Sequence, residues 1–466
     1  MHFSIPETLD LKDERQNTFC AYNIHINGSF HCTVRYKQLH SFHEQLKKAF
    51  GHSCLPIFPP KKLLPLTQPQ IEERRSQLEK YIQLISQDQK IVNSDFFNAF
   101  LLNAQHESQS SKAEQTSLDV YVMNWHRVRI QVLNTCNSAA VLETVFKSLN
   151  LSLQYLPYFC LYLVNNEETK YFLVRKLQNF EAPFLSLKTA NNNRANKYFL
   201  VVRKCYWDSS YDEDLFEDET ALDLLYGQTV FEVERGWIST TKETRKHLNS
   251  LQAKGSKREY VSLAQTQRFY GYLQFEPCLC NYPQLNTSVV IRAGGSEMVI
   301  SIDETKEFSF RVTRIRCWRL IASPVESVNG CCSDDKNRHT KFELSFEYLL
   351  MKDVLKWITI NSEQAILISM CLRGMVEELL LKKQGVKFAD DSRLSSNSRR
   401  GSWSYMKRDG SSHQIAIPKS VSTDSFVNGN SNHTKNRKFH SKPERKTRGR
   451  SLVENDAFDG IGDDDL

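Results

Sequence analysis

Residues 55–66 read LPIFPPKKLLPL and combine four prolines, two lysines and a cluster of leucines. Proline has no backbone N–H to give to a sheet, so this stretch does not fit a central strand. A loop in contact with water would not normally carry Leu63, Leu64 and Leu66 beside two cations. Fixed turns, positive charge and aliphatic side chains in one loop therefore indicate a surface that contacts an anionic and partly apolar partner.

The residues on either side of this loop predict a small domain over residues 1–105. Two alternating runs around Asn27-Gly28 predict a β-hairpin. Apolar residues at three- and four-residue spacing predict amphipathic helices on both sides of the loop. The predicted helices cover 38–50, 71–86 and 95–102.

Three cations from separate elements of this domain are placed to meet at one site. Arg35 closes the predicted hairpin with Tyr36 beside it. Lys61 follows the proline bend, and Arg74 lies in the next helix. Each leucine that enters the acyl boundary of a membrane contributes at most about 1.5–3 kcal/mol. Each cation adds about 1 kcal/mol against an anionic leaflet, so the pattern predicts a weak but useful membrane contact.

The segments RYKQLHSFHEQL, LPIFPPKK and ERRSQLEKY resemble the phosphoinositide-binding signatures of the PX domain, and the PxxPxK element is the most specific of them. The resemblance implies that Arg35 binds the 3-phosphate and that Tyr36 packs on the inositol ring. It also implies that Lys61 binds the 1-phosphate and Arg74 the ring hydroxyls, with Arg75 as a competitor for this last role. The implied ligand is phosphatidylinositol 3-phosphate.

Each of these signals also has a simpler explanation. PxxP segments dock SH3 domains, and Arg35 or Arg74 alone is an ordinary surface charge. We favour the lipid site because all four positions are filled at the spacing of the family. Leu63, Leu64 and Leu66 are then the predicted membrane-inserting residues.

Length and composition limit the class of protein. A chain of 466 residues, 40% hydrophobic and 25% charged, is expected to hold about two to four domains. The start MHFSIPETLD does not resemble a secretory signal, and no apolar run predicts a membrane span. The 12 cysteines lack CxxC spacing and predict reduced thiols. Nucleotide-binding, hydrolase, protease and kinase motifs are missing from the sequence, so we expect no enzyme activity, no metal and no cofactor.

A second module follows a polar linker at residues 106–116. Residues 117–207 have the order hairpin, helix and further strands, which predicts a ubiquitin-like β-grasp lobe. Residues 208–275 change to helical spacing. Residues 276–384 return to strands and end in a long amphipathic helix. This order resembles a FERM module with a third lobe of the phosphotyrosine-binding type, so the expected fold is α+β and multidomain.

A PX domain followed by a FERM-like module resembles the PX–FERM sorting nexins, in particular the branch of sorting nexins 17 and 31, and the resemblance covers residues 1–385. In that family the third lobe adds Asn-Pro-x-Tyr segments of receptor tails, such as those of integrin β chains, to an exposed strand edge. The resemblance implies that RIRCWRL (314–320) is this edge. The implied cargo-contacting residues are Arg316, Trp318, Val376 and Leu380.

Two alternatives stay open for this site. Trp318 is equally explained as a core tryptophan. For Val376 and Leu380, ordinary packing of the closing helix is the favoured explanation.

The tail, residues 385–466, is rich in Ser, Asn, Lys and Arg with few aliphatic residues, so it is predicted to be disordered. Ser402 follows two arginines and is a possible site for a basophilic kinase. The resemblance implies that the acidic end docks a Retriever-type recycling complex, although a purely solubilising end is the alternative. The implied hook consists of Ile461, Gly462, Asp463, Asp464, Asp465 and Leu466.

Taken together, the resemblance implies a cytoplasmic adaptor that is peripheral on the cytosolic face of early endosomes. It would bind phosphatidylinositol 3-phosphate and receptor tails, and promote receptor recycling away from lysosomal degradation. A cortical scaffold that uses the FERM-like module to link membrane and cytoskeleton is the alternative. We expect no nucleic-acid partner, because the basic tail has few aromatic residues and its acidic end repels phosphate.

Overall fold

The computed structural model shows a mixed helix-and-sheet protein with an N-terminal domain, three further lobes and two ordered pieces of tail. The residues that the structure describes are 1–13, 16–62, 64–109, 112–167, 170–192, 197–303, 305–324, 340–351, 354–386, 403–415, 451–455 and 457–458. The expected α+β multidomain fold class is confirmed.

The first domain packs a four-stranded sheet against helices. Its elements are β1 (Phe3–Ser4), β2 (Thr8–Lys12), β3 (Thr18–Ile26), β4 (Ser29–Arg35), α1 (Tyr36–Phe50), α2 (Gln68–Ile85), α3 (Gln89–Val92) and α4 (Asp95–Ser108). β3 pairs antiparallel with β1 and β2 on one side and with β4 on the other. Asn27 and Gly28 both have positive φ in the turn between β3 and β4, as the predicted hairpin requires.

Helix α4 is longer than the sequence predicts, so the connection to the next lobe is shorter than residues 106–116. The hydroxyl of Ser108 donates to the carbonyl of Ala104 and accepts from the backbone N–H of Thr33, which extends the helix along β4. Gln105 receives a hydrogen bond from the N–H of Ala182 and donates to Ser186 in the following lobe. Gln109, which lies inside the predicted linker, also donates to the hydroxyl of Thr189 in the following lobe. Polar residues of the predicted linker are therefore part of a domain interface.

The first lobe of the second module has the predicted β-grasp order. Its elements are β5 (Gln115–Tyr121), β6 (Arg127–Leu133), α5 (Ser138–Ser148), β7 (Phe159–Glu167), β8 (Lys170–Lys176), α6 (Pro183–Asn191) and β9 (Tyr198–Lys204). The strand order is β6-β5-β9-β7-β8, with β5 and β9 parallel. Alternate residues of β6 are buried, which places one face of the sheet against α5.

The second lobe is helical, as its spacing predicts. Its elements are α7 (Asp212–Leu215), α8 (Glu219–Glu234), α9 (Lys242–Lys254) and α10 (Lys257–Gln265). Leu225, Leu248 and Val261 of these helices are buried in one apolar cluster with the first lobe.

The third lobe is a strongly bent sheet closed by a long helix. Its elements are β10 (Leu273–Gln274), β11 (Cys278–Cys280), β12 (Thr287–Gly294), β13 (Glu297–Ser301), β14 (Glu307–Arg311), β15 (Ile315–Pro324), β16 (Thr340–Met351), β17 (Val354–Asn361) and α11 (Ala365–Lys383). Ile368 and Leu372 of α11 are fully buried against this sheet. Among the strands of the lobe itself, β14 and β15 lie at the two ends of the strand order.

Two pieces of the tail are folded, although the sequence predicts disorder from residue 385 onward. They contain β18 (Trp403–Met406), β19 (Ser412–Ile415) and β20 (Ser451–Glu454). β18 and β19 form a hairpin against the first domain, and β20 pairs with β15. The difference arises because these segments bury their few apolar side chains against distant domains rather than in a core of their own.

Helices with the length and apolar character needed to cross a membrane are missing from the described part of the chain. The same residues include no cluster of histidine, cysteine or carboxylate side chains suited to a metal ion.

Candidate functional site

The first candidate site begins where β4 ends and α1 starts. The backbone N–H of Arg35 donates to Oε1 of Gln38 at 2.8 Å, which starts the helix at the next residue. The Arg35 guanidinium lies 4.0 Å from the centre of the Phe19 ring on the neighbouring strand. Its Nη1 donates to the carbonyl of Arg408 in the tail at 3.2 Å. Arg35 is half-buried, and a guanidinium has further N–H donors beyond the one that this carbonyl uses.

Tyr36, Arg74 and the proline loop come together as the sequence predicts. The guanidinium of Arg74 lies 4.3 Å from the centre of the Tyr36 ring. The Tyr36 hydroxyl donates to the carbonyl of Pro59 at 2.8 Å, and Nη2 of Arg74 donates to the carbonyl of Pro60 at 3.4 Å. Burial raises the pKa of Tyr36, so its hydroxyl remains a neutral donor. These contacts tie the loop to both helices that flank it.

Arg75 lies in a different environment from Arg74. It forms ion pairs with Glu72 and Glu79 on its own helix and donates to the carbonyl of Ile5. The Glu72 carboxylate raises the pKa of Arg75. The structure therefore places Arg74, rather than Arg75, against Tyr36.

The loop presents cations and apolar side chains to solvent together. Lys61 is exposed, Leu64 is 80% exposed and Leu66 is half-buried, whereas Leu63 lies outside the described residues. Ile57 is 95% exposed, and the sequence interpretation missed it. Its neighbour Phe58 packs against His43 and Tyr81 while Ile57 is left exposed, and an additional aliphatic residue in the proline run was the available signal.

The second candidate site is the β15 edge of the third lobe, which the tail covers. Residues 451–454 pair antiparallel with residues 317–320, and Val453 lies opposite Trp318. The strand adds main-chain hydrogen bonds at the edge, as a bound peptide would.

Asn455 ends this added strand with a tight turn. Its Nδ2 donates to the carbonyls of Val312 and Ile315, at 2.8 and 2.6 Å. Its backbone N–H donates to the carbonyl of Arg316 at 3.1 Å. The N–H of Phe458 then donates to the carbonyl of Asn455 at 3.0 Å, which closes the turn. The edge therefore holds a strand that ends in an asparagine turn, and Phe458 follows Asn455 by three residues.

The four residues assigned to cargo contact have different surroundings. Trp318 is 2% exposed, and its Nε1 donates to the hydroxyl of Ser369 at 3.0 Å on the closing helix. Val376 is buried and Leu380 is half-buried, and both pack in the apolar cluster that contains Trp318 and Ala457. Arg316 is half-exposed and forms an ion pair with Glu347. Three of the four residues are thus part of the core beneath the edge, and Arg316 contributes its backbone to the turn.

The two remaining assignments in the tail, Ser402 and the hook at residues 461–466, lie outside the described residues.

Comparison with known families covers each domain in turn. A model described as PX domain matches residues 22–104. The F1 lobe of the sorting nexin 17/27/31 FERM domain matches residues 116–207, and the F2 lobe of the sorting nexin 17/31 FERM domain matches residues 208–268. A model described as Sorting Nexin 17 FERM C-terminal domain matches residues 271–380.

Relatives that match most of this chain are sorting nexins. Sorting nexin-17 of Rattus norvegicus is 42% identical over 479 residues, which cover 100% of both chains. Sorting nexin-17 of Homo sapiens is 47% identical over 392 residues, which cover 83% of each chain. Sorting nexin-31 of Homo sapiens is 33% identical over 388 residues, which cover 82% of this chain and 86% of the relative. The chain therefore belongs to the sorting nexins, within the sorting nexin 17 family that joins a PX domain to a FERM-like module.

Proposed function

We propose that this sorting nexin is an endosomal cargo adaptor that binds phosphatidylinositol 3-phosphate through its PX domain and Asn-Pro-x-Tyr motifs through its third FERM lobe. The tail segment on β15 carries the proposal. Its backbone extends the sheet, and Asn455 precedes Phe458 by the same three residues that separate Asn from Tyr in the motif. The edge assigned to cargo thus already accommodates a peptide of this form.

The lipid part of the proposal rests on the environment of Arg35 and Arg74. β3 pairs with β4 so that Ala21 lies opposite Arg35. Tyr36 follows Arg35 directly in the chain, and the Arg74 guanidinium lies 4.3 Å from the centre of the Tyr36 ring. Two guanidinium groups at one end of a strand, with Tyr36 beside them, suit a phosphorylated ring.

The remaining assignments follow from the same reading. Receptor tails such as those of integrin β chains are the proposed cargo, and a Retriever-type recycling complex is the proposed partner of residues 461–466. This hook begins three residues after Phe458, so the segment on β15 and the hook are adjacent in the chain. The proposal places the protein in the cytoplasm, on the cytosolic face of early endosomes, and contains no catalytic step. No contact in the described residues specifically favours the cytoskeletal scaffold.

Ile57 provides a test of membrane insertion. We expect Ile57→Glu to weaken binding to liposomes that contain phosphatidylinositol 3-phosphate by about tenfold, because an inserted aliphatic side chain contributes at most about 1.5–3 kcal/mol. Binding of the soluble, short-chain lipid should be unchanged, since Ile57 does not lie among the cations. Liposome flotation and calorimetry measure the two quantities.

Leu285→Glu is the matched control, because Leu285 is also largely exposed, at 79%, but lies in the third lobe. Equal losses in both variants would argue against insertion of the loop.

Recruitment to a mixed membrane tests the adaptor function as a whole. We expect the full chain to bind liposomes carrying both phosphatidylinositol 3-phosphate and a lipid-anchored Asn-Pro-x-Tyr peptide at least tenfold more tightly than liposomes carrying either alone. The gain follows from effective concentration, which multiplies two modest affinities on one surface. A peptide with alanine in place of its asparagine is the control. Equal binding to all three surfaces would contradict the adaptor model.

A further inference from the structure

The tail hairpin of β18 and β19 is built into the PX domain. Tyr405 is 2% exposed and belongs to the same apolar cluster as Phe42 and Phe100 of that domain. The Trp403 ring stacks on Phe96, with 4.5 Å between the ring centres. A segment that buries two aromatic rings in another domain is a structural part of that domain, even though more than 290 residues separate it in sequence from its closest contacts.

Hydrogen bonds run from this hairpin to the backbone of Arg35. The hydroxyl of Tyr405 donates to Oε2 of Glu107 at 2.8 Å. Nε2 of Gln38 lies 2.8 Å from the same carboxylate oxygen, 3.0 Å from the Tyr405 hydroxyl and 3.0 Å from the carbonyl of Met406. Oε1 of Gln38 accepts the N–H of Arg35 at 2.8 Å. Gln38 is 1% exposed, so its orientation depends on these partners.

The hairpin also contacts the guanidinium of Arg35 directly. The carbonyl of Arg408 accepts from Nη1 of Arg35. Arg408 is itself anchored by two side-chain bonds, from Nε to the carbonyl of Thr33 at 3.1 Å and from Nη2 to the hydroxyl of Ser108 at 2.7 Å. Thr33 is two residues before Arg35 on β4, so the acceptor is fixed relative to the strand that carries Arg35.

One carbonyl uses only one of the five N–H donors of a guanidinium. The remaining donors of Arg35 stay available to an anion, while Phe19 and Arg408 limit the directions in which the group can point. A preoriented arginine binds phosphate more tightly than a mobile one, because less side-chain entropy is lost on binding.

We propose that residues 403–415 are a structural component of the phosphoinositide site, in which Tyr405 and Gln38 act as positioning residues for Arg35. The inference rests on the proposed lipid-binding function and adds that a tail segment, outside the PX domain in sequence, sets the affinity for the phosphorylated headgroup. Trp403 and Tyr405 anchor the hairpin, and the Arg408 carbonyl orients the phosphate-binding guanidinium.

The test measures binding of soluble short-chain phosphatidylinositol 3-phosphate to the full-length chain by calorimetry. Tyr405→Phe keeps the buried ring and removes only the hydroxyl, and we expect an affinity loss of about threefold to fivefold. Deletion of residues 403–415 removes the Arg408 carbonyl that contacts Arg35 and the hairpin partners that orient Gln38, and we expect a loss of at least about tenfold. Gln414→Ala, at an exposed position of β19, should bind like the unmodified protein.

Arg35→Lys separates positioning from general stability. Lysine has no planar fork for the Arg408 carbonyl to orient, so adding Tyr405→Phe to Arg35→Lys should cost less than twofold. An equal cost in both backgrounds would show that the hairpin acts on the whole domain, and would overturn the positioning role. Unchanged affinity in the hairpin deletion would overturn the proposal outright. Failure of the unmodified protein to bind the lipid would instead contradict the proposed function.

Discussion

Arg35→Ala is expected to reduce binding to liposomes containing phosphatidylinositol 3-phosphate by about 100-fold or more. A guanidinium that binds phosphate through two charge-assisted hydrogen bonds contributes about 1.5–3 kcal/mol for each. The residue has no ion-pair partner among the described residues, so its removal leaves no buried carboxylate uncompensated. The domain should therefore remain folded while it loses the ligand. Liposome flotation and circular dichroism measure these two outcomes.

Lys80→Ala is the matched control for charge. Lys80 is exposed on helix α2, the helix that also carries Arg74. Its removal lowers the net positive charge by the same amount but should change binding by less than twofold at physiological salt. If Arg35→Ala retains its lipid affinity, or if Lys80→Ala loses as much, the assignment of the pocket is wrong.

Ending the chain at Arg450 is expected to raise the affinity for an Asn-Pro-x-Tyr peptide by about tenfold or more. Residues 451–454 pair with residues 317–320 of the β15 edge, so a peptide must displace them before it binds. An intramolecular competitor acts at an effective concentration in the millimolar range. The apparent affinity for the peptide then falls in proportion to the fraction of molecules in which the edge is free. Fluorescence anisotropy with a labelled receptor-tail peptide measures the change.

Two further variants separate the covering segment from the acidic end. Asn455→Ala removes the side-chain bonds to Val312 and Ile315 and should raise peptide affinity in the same direction as the truncation. Deletion of residues 459–466 leaves the covering segment in place and should not change the affinity for the peptide. If the truncation at Arg450 does not bind peptide more tightly, the β15 edge is not the cargo site.

The arrangement around Tyr36 and Arg74 could be predicted from sequence because its signals are local. The Asn27-Gly28 turn, the proline loop and the helix after it each follow rules of short range, and the structure brings Tyr36 and Arg74 together as predicted. Sequence could not show that Arg74 rather than Arg75 faces Tyr36. A helix places adjacent residues about 100° apart, so a small error in register exchanges their roles.

The contacts of the β18–β19 hairpin and of β20 with other domains were missed, because the composition of a segment indicates only how much it can bury by itself. The hairpin did carry a local signal, since Asp409-Gly410 lies between two short runs with apolar residues. Its partners Gln38 and Phe96 are hundreds of positions away, however, and nothing in the local pattern identifies them. The segment 455–458 likewise has the Asn-to-aromatic spacing of the expected cargo motif, and this internal match was the available clue.

The same pairing has a consequence for self-association. An end strand with free N–H and C=O groups is a template for pairing with other copies of a protein, and long exposed edges promote aggregation. With residues 451–454 in place, the backbone groups of 317–320 are satisfied within the chain. The new outermost strand has only four residues, too few to template a stable intermolecular sheet. Other copies of the chain therefore find a shorter template at this edge than the ten residues of β15 would offer.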